Sequence, residues 1–280
     1  MEIRPAEADA GIVFVRTADD GTERSVQASW RRVVRTELCT TLGDRLGPVV
    51  STVEHVMAAC AGLGLDNARV EVDGPELPIM DGSAAAFVEA IDSVGVLRLG
   101  RPRRYVRVRK KVRVEHGPAF AELSPSESGP RLDIEIAFEN GPIRRQRVEF
   151  DVTAGYFRRY IARARTFGFV ADVERLWTMG LARGSSLENS VAIDGERILN
   201  PEGLRYPDEF VRHKALDAIG DLALAGAPIV GAYRACRPGH ALNVRVLNAL
   251  FSDPDAYEIV EGKSRRAAAE ALVASSLVAY

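Results

Sequence analysis

Ala68-Arg-Val-Glu-Val72 alternates apolar and polar side chains, the period-two pattern of a half-buried strand. Tyr105–Glu115 sets valines between arginines and lysines, and Leu132–Phe138 and Arg147–Val152 repeat the alternation, so further strands are predicted in the second part of the chain. The period lengthens to that of a helix over Ser51–Cys60, which runs to the glycine-rich stop Ala61-Gly-Leu-Gly64, and over Ala84–Val94, which Ser83 is placed to cap. Pro207–Ala225 and Arg265–Val278 also read as helices. Strands followed by helices lie on both sides of Leu97-Arg-Leu-Gly-Arg-Pro-Arg-Arg104, which predicts an α+β fold in two domains, 1–100 and 101–280.

Composition leaves this an ordinary globular chain. With 280 residues, 46% of them hydrophobic and 27% charged, there is apolar material for sizeable cores. A net charge of -2 gives no reason to expect a polyanion partner. The basic run Arg101-Pro-Arg-Arg104 has no aromatic side chains laced through it, so it reads as a solvated linker and no nucleic acid is expected. Cys39, Cys60 and Cys236 are odd in number and form no zinc or redox motif; they read as free buried thiols in a reducing cytosol. The start, Met1-Glu-Ile-Arg-Pro, lacks the apolar core of a signal peptide, and no apolar run is long enough for a bilayer, so a cytoplasmic chain without a membrane span is expected.

Candidate chemistry centres on Val211–Asp221, which sets His213, Asp217 and Asp221 at helical spacing. Residues four apart share a helix face, so His213 and Asp217 reach one ion if the helix forms; the competing reading is a weak ion pair on a solvated face. Four histidines are available for a third ligand: His55, His116, His213 and His240. His116 lies in a Glu-His-Gly-Pro turn and is a poor candidate. His55 opens a helix beside Glu54, for which two readings stand. Ser51-x-x-Glu54 is a capping box, in which both side chains satisfy free backbone N–H groups. Equally, Glu54 is a carboxylate beside a metal-activated water, acting as general base. His240 reads either as a loop residue in local packing or as a general acid, with Asp221 behind it to orient the imidazole.

Several stretches, in order, carry a resemblance: Thr52-Val-Glu-His55, Asp73-Gly-Pro-Glu-Leu-Pro-Ile-Met-Asp-Gly-Ser83, Arg163-Ala-Arg-Thr-Phe-Gly-Phe169, Phe210–Asp221 and Gly239-His-Ala-Leu-Asn243. Together they resemble the UDP-3-O-acyl-N-acetylglucosamine deacetylase family, the zinc amidases of lipid A biosynthesis in Gram-negative bacteria. The resemblance covers about Ile3 to Tyr257. It implies two domains of related topology, their sheets outside and helices packed between. It also implies that His55, His213 and Asp217 are the metal ligands, Glu54 the general base, and His240 the general acid supported by Asp221. Thr166 matches a hydroxyl that holds the oxyanion, and Lys214 a residue that contacts the substrate. Phe167 and Phe138 match aromatic positions near the sugar and the uridine. Residues 167–194 match a strand-helix-strand insert holding the acyl chain, with Leu176, Trp177, Met179, Leu181 and Leu187 as its apolar lining. The implied cofactor is one zinc ion per chain; the His/His/Asp set also accepts ferrous iron. The implied partner is the UDP-acyl-glucosamine substrate, whose acyl chain would bring the protein transiently near the membrane; a monomer is expected.

Three departures qualify what the resemblance implies. Arg183, in Gly180-Leu-Ala-Arg-Gly-Ser-Ser186, sets a cation where the family carries an apolar or small residue. Phe138-Glu-Asn-Gly-Pro142 stands where a Phe-x-His-Pro pattern is usual. The family's Gly-Val-Gly-Leu-His-Ser-Gly-like segment would precede the strand matched by Glu2–Pro5; the expectation is a start assigned downstream or a truncation that exposes a sheet edge. Two alternatives follow: a related amidase of shifted substrate, or a catalytically weak nucleotide-sugar-lipid binding protein. Intact Glu54 and His240 argue against the second.

Overall fold

Two parallel strand pairs organise the chain, and each needs a long crossover that a helix fills. The computed structural model describes residues 1–262 other than Asp19, Ser128 and residues 179–183, with the backbone alone for 174–177. In chain order the first half contains β1 (Glu2–Pro5), β2 (Ile12–Thr17), β3 (Glu23–Gln27), β4 (Val33–Arg35), β5 (Thr41–Asp44), β6 (Gly47–Val50), α1 (Glu54–Leu63), β7 (Ala68–Val72) and α2 (Ala85–Val94). The second half contains β8 (Arg104–Val108), β9 (Val112–His116), β10 (Ala119–Ser124), β11 (Arg131–Ala137), β12 (Arg145–Asp151), α3 (Ala154–Tyr156), β13 (Phe167–Phe169), α4 (Val170–Thr178), β14 (Val191–Asp194), β15 (Arg197–Ile198), α5 (Glu209–Ala223), β16 (Ile229–Val230), β17 (Ala232–Cys236), α6 (His240–Phe251) and β18 (Tyr257–Glu261).

The first main sheet has the order β1-β7-β2-β3 and the second β12-β11-β17-β10-β9. β2 and β7 are parallel, with β3 antiparallel to β2 and β1 antiparallel to β7. β11 and β17 are parallel, with β12 antiparallel to β11 and β10 antiparallel to β17. The set β1, β2, β3, β7 therefore maps onto β10, β11, β12, β17 in order and direction. α1 lies in the crossover of the first parallel pair and α5 in that of the second; α2 and α6 follow. The chain is an α+β fold of two sheet-and-helix units with related topology.

α1 and α5 pack against each other, and α5 and α6 against the five-stranded sheet, so the helices form the layer between sheets. Both are buried nearly all round, as helices in such a layer must be. A single apolar cluster runs through them, from Phe14, Leu42 and Val70 to Ile134, Leu216 and Leu247. The crossing is close because Gly220 has no side chain: a Cβ there would lie 2.0 Å from the Glu54 carbonyl oxygen. Gly220→Ala should therefore invert the usual helix preference. An exposed helical site would gain about 1 kcal/mol from this change. Here the methyl must separate α1 from α5, and a loss of about 1–3 kcal/mol is expected in chemical or thermal unfolding. An unchanged or raised midpoint would show that the crossing relaxes freely.

Most predicted elements form within a few residues of their expected ends. α1 stops where Gly64 turns left-handed (φ 74°), its N–H returning to Ala61 and that of Leu65 to Cys60. Ser83 accepts from the Ala85 N–H at the start of α2. Two expectations need correction. Tyr105–Glu115 is not one strand: β8 pairs with β16 and β18, whereas β9 pairs with β10, and the chain changes sheets at Arg109–Lys111. Nor is Ser51-x-x-Glu54 a capping box: Val53 is the N-cap and Glu54 the first helical residue, and the Ser51 hydroxyl bonds Thr41 instead. The helix expected over Arg265–Val278 lies outside the described residues.

Candidate active site

The first turn of α1 presents Glu54 and His55 to one face of α5, which carries His213, Asp217 and Asp221 on successive turns. His213 Nε2 lies 3.3 Å from Asp217 Oδ1, and His55 Nε2 lies 3.7 Å from the same oxygen. One donor atom from each of the three residues falls within 4.8 Å of the others, and all three side chains are buried. The His213 ring is held by its Nδ1, 3.0 Å from the Ala164 carbonyl, which puts the proton there and leaves Nε2 as a lone pair. His55 Nδ1 is buried with no hydrogen-bond partner among the described residues.

The electrostatics suit a cation. Burial pushes the His213 imidazole down to about 3 and lowers His55 as well, so both rings are neutral at pH 7, the form that can bind a metal. For Asp217, burial alone would raise the carboxyl. His213 and the Lys214 ammonium, 2.8 Å from Oδ2, overrule it and hold the carboxyl below its usual range. Two neutral imidazoles and a carboxylate make a three-ligand set of the kind that leaves a position open.

Beside this cluster a second carboxylate is poised differently. Burial, reinforced by Asp221 and Asp217, lifts Glu54 to about 7 against the opposing pull of His240. Glu54 Oε2 accepts the Thr40 N–H at 3.0 Å, and Oε1 faces His240 Nε2 at 3.9 Å. His240 Nδ1 meets Asp221 Oδ2 at 2.8 Å. Burial would lower this imidazole, but the Asp221 carboxylate, with Glu54 and Asp217 behind it, raises it to about 10. Asp221 itself is fully buried and also accepts from Asn243 Nδ2 at 2.8 Å and from the Thr40 hydroxyl at 2.6 Å. Tyr233 donates to Asn243 Oδ1.

Lys214 Nζ, besides its bond to Asp217, stands 5.6 Å over the Phe167 ring. That ring in turn lies 6.3 Å from His213, 5.0 Å from Phe210 and 6.1 Å from Phe138, forming an aromatic row that leads away from the cluster. Thr166 is half-buried between Ala164, which holds His213, and Phe167. Its N–H bonds the Gly82 carbonyl and its carbonyl accepts from Val191. A buried ion pair fixes this segment to the start of α5: Arg165 donates its backbone N–H and Nε to Glu209 Oε1 at 3.0 and 2.9 Å. Residues 167–194 include the expected strand-helix-strand, with β13 and β14 parallel. Leu187 is 43% exposed. Met179, Leu181 and Arg183, with the side chains of Leu176 and Trp177, lie outside the described residues.

His55, His213, Asp217, Glu54, Asp221 and His240 thus converge, with Lys214 and Phe167 at the edge and Phe138 one ring further out. Sequence reasoning missed Thr40 and left Asn243 unassigned within a motif it had singled out. Asn243 sits one turn beyond His240 on α6, a spacing that could have flagged it. Thr40 carries no such signal.

A His/His/Asp cluster, a carboxylate raised toward neutrality and an Asp-backed imidazole facing it define a metal-dependent hydrolase. The chain belongs to the UDP-3-O-acyl N-acetylglycosamine deacetylase family, whose model matches residues 1–252. It is 51% identical over 259 residues to UDP-3-O-acyl-N-acetylglucosamine deacetylase of Phenylobacterium zucineum, covering 92% of this chain and 88% of that protein. The enzyme of the same name from Brucella ovis is 50% identical over 258 residues, covering 92% and 89% respectively. Among the described residues no helix is long and apolar enough to cross a membrane.

Proposed function

We propose that this chain hydrolyses the N-acetyl group of UDP-3-O-(3-hydroxyacyl)-N-acetylglucosamine, releasing acetate and the free amine in the committed step of lipid A biosynthesis. The observation that carries the reading is Glu54 at the edge of the His55/His213/Asp217 cluster with His240–Asp221 opposite. His55, His213 and Asp217 would hold one zinc or ferrous ion, which polarises the amide carbonyl and makes water acidic enough to attack near neutral pH. Glu54 takes the proton from that water as its oxygen adds to the carbonyl carbon. The Thr166 hydroxyl donates to the carbonyl oxygen as charge develops on it. Protonated His240, held by Asp221, gives its proton to the nitrogen as the C–N bond breaks, and Glu54 at 3.9 Å can return one to it. Lys214 contacts the substrate, Phe167 faces the sugar and Phe138 the uridine, while 167–194 receives the acyl chain. The protein acts as a cytoplasmic monomer, transiently near the membrane. Its domains divide near residue 100, a reading supported by the absence of helix or strand over 95–103.

The test is acetate release from the UDP-acyl-glucosamine, before and after chelation, with zinc or ferrous iron added back. Metal-dependent release is expected; none from folded, metal-loaded protein would overturn the reading. The pH profile should be a bell. Its rising limb follows Glu54, which must be ionised to accept a proton. Its falling limb follows His240, which must be protonated; with the imidazole raised to about 10, activity persists well above neutrality and declines as pH approaches that value, a bound cation moving this limb downward. A falling limb that stays in place in His240→Gln would remove His240 from the role.

A further inference from the structure

Thr40 belongs to the first unit, immediately before β5, and is fully buried. It makes three contacts that bear on the site. Its carbonyl accepts the Val53 N–H at 3.3 Å, tying down the residue before α1 begins. Its own N–H donates to Glu54 Oε2 at 3.0 Å. Its hydroxyl crosses to the second unit and donates to Asp221 Oδ1 at 2.6 Å.

The last contact decides how Asp221 points. Oδ2 receives His240 Nδ1 and Asn243 Nδ2, and among the described residues Thr40 alone donates to Oδ1. Without that donor a buried carboxylate oxygen is left unsatisfied, and the carboxylate gains freedom to rotate away from His240. The backbone N–H acts in the same sense on Glu54. That side chain receives no help from a capping box, because Ser51 is engaged with Thr41. From these contacts we infer that Thr40 is a positioning residue that holds the proton acceptor Glu54 and the Asp221–His240 proton donor in one frame. The inference rests on the deacetylase reading above.

Thr40→Val keeps the shape and the backbone N–H and removes only the hydroxyl. With wild-type turnover of the UDP-acyl-glucosamine as reference, kcat is expected to fall about 10- to 100-fold, the range for residues that orient ligands and catalytic groups. KM should stay within about twofold and bound metal should be unchanged, since Thr40 is assigned to neither substrate nor ion. Thr40→Ser, which restores a hydroxyl, should recover most of the lost kcat. In an Asp221→Asn background the Thr40→Val effect should shrink to under about twofold, because residues acting through one partner are not additive. Wild-type kcat in Thr40→Val would overturn the assignment, as would a drop that persists undiminished beside Asp221→Asn or one that Thr40→Ser does not relieve. If valine is not accommodated, shown by a collapsed unfolding midpoint, Thr40→Ala carries the same comparisons. Failure of the folded, metal-loaded wild type to release acetate would instead sink the deacetylase reading itself, so the two failures are distinct.

Discussion

Glu54→Gln is expected to lower kcat by about 10²–10⁴-fold while the protein keeps its metal, because loss of a general base costs that much and glutamine cannot accept the water's proton. The stability of the same variant separates the two roles a glutamate at a helix start can have. In the metal-free protein Glu54 titrates near 7, well above the ordinary carboxylate, because it is buried. A carboxyl raised in the fold destabilises once pH passes its unfolded value, and this cost is fully present above its folded value. At pH 8, metal-free Glu54→Gln should therefore melt no lower than its parent. A clear drop in midpoint with turnover retained would restore the capping role that the first turn of α1 lacks.

His213→Ala is expected to act on the ion itself. The ring is proposed as one of three protein ligands and is seated by the Ala164 carbonyl, so its loss would remove a donor and leave a buried carbonyl unpaired. Removing only an outer partner of a ligand costs about 10–100-fold in metal affinity, and removing the ligand should exceed that. After gel filtration in dilute chelator, metal content should fall from about one ion per chain toward none, with turnover lost in parallel. His240→Ala, treated the same way, should keep its metal. Equal metal retention in both variants would mean that the ion sits elsewhere.

The two helices that build the site were legible because their signal is local. Apolar periodicity and the Gly64 stop located α1, and Glu209–Ala223 falls inside the span predicted for α5. His213 and Asp217 could be paired from spacing alone. His55 and His240 could not, since they reach the cluster from other helices, and only the resemblance connected them. Alternation of valine with arginine persuades over Tyr105–Glu115 but carries no word on partners, so the change of sheet at Lys110 was invisible. Gly220 reads locally as a weak point in a helix, whereas its purpose lies in the backbone of α1. Thr40 stands 14 residues before the carboxylate it meets and 181 before the other, and no pattern in the chain joins them.

The three side chains proposed to hold the ion are shared unevenly across the seam, one from α1 and two from α5. An ion held there would be a clasp, binding the docked arrangement more tightly than α5 alone. Any ligand that binds only the folded form stabilises it, by about 4 kcal/mol at a thousandfold excess over Kd. Metal affinity and the closure of the two units are then one equilibrium seen from opposite ends. Starving the protein of metal would not merely silence it; it would remove one of the attachments that hold α1 against α5.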